Sequence, residues 1–124
     1  MTEKTLKAVY KEPGKAAEIK EIPNDLHTLQ ELVGGYIEAI TIPAGNDAAV
    51  LNAKDIVIIC DEEGKIKEGV KPNFYCFYAG DEIYGPVVVV GANGENFDSL
   101  TDYDAELVMR TMNWHPETPD ATIL

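Results

Sequence analysis

Along the first 22 residues, apolar and polar side chains trade places every second position. In LKAVYK, Leu6, Ala8 and Tyr10 alternate with Lys7, Val9 and Lys11; Pro13-Gly14 then offers a turn, and Glu18 to Ile22 resume an extended pattern. This period of two around a turn predicts a β-hairpin with a polar, basic tip. The period changes in PNDLHTLQELV, where Leu26, Leu29 and Val33, joined by Leu32, share one helical face. Asn24 or Asp25 can accept from the free N–H groups of a first turn, so a helix over about 25–33 is predicted. Gly34 then falls where a helix end adopts the left-handed conformation that suits glycine. That cap leaves Gly35 unexplained: either the turn needs a second unusual backbone angle, or a neighbouring element packs against bare backbone beside Tyr36. YIEAITI returns to period two, with Tyr36, Glu38, Ile40 and Ile42 on one face and Ile37, Ala39 and Thr41 on the other.

The small, polar stretch PAGNDAAVLNAKD (43–55) reads as a loop, and IVIIC (56–60) as a strand buried on both faces. DEEGK (61–65) predicts a turn in which Gly64 is able to take a positive φ, and IKEGVKPN a short, irregular connection. In FYCFY, alternation sets Phe74, Cys76 and Tyr78 against Tyr75 and Phe77, one side suited to the core and the other to a partner or ligand. Strand propensity continues through Ile83, Tyr84 and Val87 to Val90, with Gly85-Pro86 readable as a bulge or a strand edge. Asn93-Gly94 signals a tight turn, although Phe97 alone does not guarantee a returning strand. Thr101 can cap a helix over about 102–113, with Asp102 and Asp104 in its first turn and Ala105, Val108, Met109 and Met112 on one face. The order of elements predicts an α+β fold: a mixed, mainly antiparallel sheet of about five or six strands with two helices. One domain over 1–113 and an acidic, Pro-containing tail over 114–124 are expected.

Charge narrows the function classes. Residues 1–22 carry five Lys and four acids, whereas residues 23–124 carry five basic groups and eighteen acids, so +1 is followed by −13. Such a surface repels phosphate backbones, and Arg110 is the single Arg, so direct nucleic-acid binding is not expected. The acidity serves solubility or, in a sharper reading, imitates a nucleic acid to occupy a basic partner. No run approaches the roughly 20 apolar residues of a membrane span, and MTEKTLKAVYKEPGK lacks the apolar stretch of a secretory signal; a cytoplasmic protein without membrane contact is expected.

Few residues can carry chemistry. Cys60 and Cys76 lack a CxxC pair and read as reduced, core thiols, and His27 and His115 lack ligand spacing, so no metal is expected. Cys60 with a His is the one Cys/His option for covalent catalysis, and its acidic neighbours would raise the thiol pKa. VGGY and GANGEN fit neither nucleotide-loop pattern, and in VGGY the helix precedes the glycines, so its positive end points away. No catalytic residue and no cofactor are assigned.

IPNDLHTLQELVGGYIEAI, IVIICDEEGKI, KPN, DEIYGPVVVVG and SLT before a terminal helix resemble, in order, the domain-of-unknown-function family DUF3846 over roughly residues 6–112. The resemblance covers Gly34, Gly35, Tyr36, Glu38, Asp61, Gly64, Pro72 and Asn73. Related sequences often place a basic residue after the Pro-Asn pair, where Phe74 stands here; the 43–55 excursion is longer than usual, and the tail lies outside the resemblance. Members look like small proteins of bacteria, phages and mobile elements, sometimes beside antirestriction-type modules, which implies an accessory role and no established activity. The expected function is a non-enzymatic binding protein that contacts a protein or small-molecule partner through Gly35, Tyr36, Glu38, Pro72, Asn73 and Tyr75. A homodimer is open to it. The rival readings are an acidic nucleic-acid mimic, which predicts a one-sided row of carboxylates, and a small enzyme using Cys60 or a carboxylate pair, which predicts a concave pocket with a base within hydrogen-bond reach of the nucleophile and fails for Cys60 if that thiol is buried among apolar neighbours.

Overall fold

The computed structural model describes residues 5–44, 54–76 and 78–113. Most of the 43–55 excursion, Phe77, His115 and the 114–124 tail lie outside the described residues. In chain order the elements are β1 (Thr5–Lys11), β2 (Glu18–Pro23), α1 (Leu26–Val33), β3 (Ile37–Ile42), β4 (Ile56–Asp61), β5 (Pro72–Cys76), β6 (Asp81–Tyr84), β7 (Val87–Asn93), β8 (Asn96–Asp98) and α2 (Asp102–Asn113). A six-stranded sheet runs β2-β1-β7-β4-β3 with β8 attached to β7, and β5-β6 form a second, two-stranded sheet. The pairings are antiparallel, so the protein is α+β.

The two uninterrupted apolar runs, β4 and the Val87–Val90 stretch of β7, pair directly with each other, and both are buried on both faces. On one face Leu29 and Val33 of α1 pack over Leu6, Ala8, Val57, Ile59, Val88 and Val90. On the other, Ala105, Val108 and Met112 of α2, with Cys76 and Ile83 of the small sheet, pack over Val9, Ile56, Ile58, Val87 and Val89. Alternation along each strand therefore feeds two cores, one on each side of the sheet.

The helices end where their caps dictate. The Asp25 carboxylate accepts from Thr28 N at 2.7 Å, and Gly34 closes α1 at φ 88° with its N–H bonded to Gln30 O. Thr101 Oγ1 accepts from Asp104 N at the start of α2. Two local expectations change and one open point is answered. Leu26 is 57% exposed, so the apolar face of α1 is shorter than its periodicity suggests. Gly64 does not take a positive φ; its Cα faces the backbone carbonyl of Tyr84, which leaves no room for a side chain. Asn93-Gly94 does close a hairpin, since Phe97 pairs with Ala92 in the three-residue β8.

Candidate functional site

The six residues expected to form one surface divide between two places. Tyr36 precedes β3 and is 68% exposed, while Gly35 beside it is half-buried. The conformation of Gly35 is ordinary, but a Cβ there would lie 2.7 Å from Lys67 Nζ and 2.9 Å from both Asp61 carboxylate oxygens. Those two side chains form an ion pair at 2.6 Å; Asp61 is buried, and the Lys67 ammonium also donates to Gly34 O at the end of α1. The Asp61 hydrogen bond raises the Lys67 pKa. Asp61 further accepts from Glu63 N, and Glu62 N donates to Tyr36 O, so the GGY segment and the DEEGK turn are tied together. Gly35 thus admits a neighbouring charge pair; it is not a second turn residue.

Pro72, Asn73 and Tyr75 line a different feature, an open cleft of about 980 Å³. Its walls come from the β1–β2 turn, from β5 and from the end of α2. The register of β5 against β6 shifts between Pro72 and Phe74, so Asn73 occupies a bulge and its side chain leaves the small sheet's ladder. It meets Lys11, the last residue of β1. Lys11 Nζ donates to Asn73 O at 3.1 Å and to Asn73 Oδ1 at 3.0 Å, while Asn73 Nδ2 donates to Lys11 O and Gly85 O, both at 2.8 Å. One amide thereby joins the two sheets. Lys11 is only 7% exposed, and burial lowers its pKa. Among the described residues no carboxylate lies within ion-pair distance of it.

Lys11 was not foreseen, because the hairpin tip reads as a solvated basic loop. The available signal was Val9, which shares a face with Lys7 and Lys11 and marks that face as covered. Phe74 follows Asn73 in β5, and it is a lysine from β1 that brings positive charge to Asn73.

Glu38 lines a smaller cleft of about 260 Å³ together with Cys60, Asp61, Lys65 and Asp81. Glu82 borders both clefts. Cys60 is 3% exposed and its thiol is pushed up to about 12, first by burial and then by Glu38 and Asp61. A thiol protonated at neutral pH is not a nucleophile. Cys60 and Cys76 are both free and buried. No group of three or more His, Cys, Asp and Glu side chains suited to a metal ion occurs among the described residues. Exposed acids include Glu31 on α1, Asp102 and Glu106 on α2, Glu18 and Glu21 on β2 and Glu38 on β3, which covers both faces and both edges of the sheet. The one-sided row that mimicry requires is not what these positions form. No helix among the described residues is long and apolar enough to cross a membrane.

A family model described as "Domain of unknown function (DUF3846)" matches residues 6–113 of the chain. No curated protein and no solved structure matches it.

Proposed function

Because the chain belongs to the DUF3846 family, which carries no established activity, we propose from the site itself that the protein is a non-enzymatic binding protein whose ligand or partner segment enters the Lys11–Asn73 cleft. The observation that carries this reading is the cleft's construction. A volume of about 980 Å³ falls within the range of small-molecule sites, roughly 300–1,000 Å³. Its floor holds a buried, hydrogen-bonded polar pair, and Phe74, Met112 and the exposed Tyr75 ring supply apolar wall. Apolar walls around a few fixed polar groups are what binding sites use to hold and orient a ligand. Pro72, Asn73 and Tyr75 are the binding residues on this reading, and Tyr36 and Glu38 would serve a second contact. A non-catalytic role is favoured by the state of Cys60. An accessory role, of the kind the family resemblance implies for phage and mobile-element proteins, would act through the bound partner.

The test is a fragment library screened by ligand-observed NMR, with binding mapped on ¹⁵N-labelled protein. Shifts concentrated at Gly14, the Asn73 side-chain amide and Tyr75 are expected. Hits that perturb only residues outside the cleft, or an absence of hits, would remove the proposal.

A further inference from the structure

We propose that the cleft takes an organic monoanion, a carboxylate on an apolar body, with Lys11 as the group that receives the charge. The inference rests on the binding reading above and specifies its ligand class. An ammonium has three N–H donors. Lys11 spends two on Asn73, and the third meets no acceptor among the described residues. Its charge is equally unanswered, since no carboxylate among the described residues pairs with it and the residue is only 7% exposed. A buried charge without a counter-ion is costly, and an incoming carboxylate would remove that cost while filling the third donor.

The surroundings favour one negative charge over several. Lys15 stands at the lip but is exposed and already paired with Glu12, and Glu82 borders the same cleft. The chain's net charge of −12 opposes multiply charged anions from a distance. A single carboxylate matches the Lys11 ammonium, the one lysine among the described lining residues without an ion pair, and Phe74, Met112 and Tyr75 provide the surface for an apolar or aromatic body.

Four probes that share a ring separate the possibilities: benzoate, benzamide, benzylamine and phenyl phosphate, titrated by NMR against the full chain. Benzoate should bind tightest of the four and shift the Asn73 side-chain amide. Lys11→Met should weaken benzoate roughly tenfold, the loss expected for one charge-assisted hydrogen bond, and leave benzamide nearly unchanged. Lys11→Arg should retain part of the preference. If benzamide binds in the cleft as tightly as benzoate, or phenyl phosphate binds tighter, the monoanion assignment fails while the binding reading stands. If no probe perturbs the cleft residues, both fail. The comparison of benzoate with benzamide uses the unmodified protein, so it decides the matter even where Lys11→Met does not fold.

Discussion

Lys67 reaches Asp61 directly across the bare backbone of Gly35, with Nζ 2.6 Å from Oδ2. The same ammonium donates to Gly34 O, so one lysine closes the negative end of α1 and neutralises a buried carboxylate. Gly35→Ala should destabilise the fold by about 1–3 kcal/mol, because the new methyl meets both partners below contact distance. Lys67 is the more exposed partner and the one able to move. In a chemical-denaturation cycle, Gly35→Ala combined with Lys67→Ala should therefore cost less than the sum of the two single changes. Additive costs would mean that the close approach does not govern this position.

Asp25 fixes the opposite end of the same helix. Its carboxylate accepts from both the backbone N–H and the hydroxyl of Thr28, and the backbone bond is the first cause holding its pKa below 3.8. A depressed folded-state pKa contributes stability that is fully present above the unfolded value and lost as pH falls through the folded one. Asp25→Ala should lower the thermal midpoint at neutral pH, and the difference from the parent protein should shrink below pH 3.8. Asp25→Asn, which can still accept one bond, should fall between the two.

What could be read from the sequence was what is local. The apolar runs at 56–60 and 87–90, the capping residues Asp25, Gly34 and Thr101, and the period of α2 each specify their own element, and the structure places each of them accordingly. The candidate cleft depends on contacts that no local pattern encodes. Asn73 leaves its strand at a bulge to bond with β1, and Lys11 looks solvated until α2 and the small sheet cover that face. Gly64 misleads for the same reason: a turn glycine suggests a positive φ, whereas the constraint comes from the Tyr84 carbonyl. Gly35 could be flagged as surplus to the helix cap, but its reason lies in the side chain of Lys67.

Cys60 and Cys76 lie in one apolar cluster with Val87 and Ile83. With the Cys60 thiol pushed up to about 12 by burial, and Cys76 buried as well, neither should react with Ellman's reagent at pH 8 in the folded protein. Both should react within the dead time once guanidinium unfolds the chain. A rapid native reaction of one thiol would mean that the core opens there, and would restore Cys60 as a candidate nucleophile.

Lys11 and Asn73 should behave as a unit, and pH should show it. Asn73→Leu leaves the Lys11 and Gly85 carbonyls without their donor and takes from the buried ammonium one of its two acceptors, the backbone Asn73 O remaining, which should cost about 2–4 kcal/mol. In the Lys11→Met background the same change strands no charge, so it should cost at least about 1 kcal/mol less. Burial lowers the Lys11 pKa from 10.5 in the folded state, so the unfolded chain holds this proton to higher pH than the folded one does. Between those two values the unfolded state binds more protons, and stability attributable to Lys11 must rise with pH. The free energy of unfolding of the parent protein minus that of Lys11→Met should therefore increase as pH climbs towards 10.5, measured by denaturant titration at fixed ionic strength. A flat difference would mean that Lys11 is solvated in the folded protein, and the reading of the cleft floor as a buried, uncompensated ammonium would fall with it.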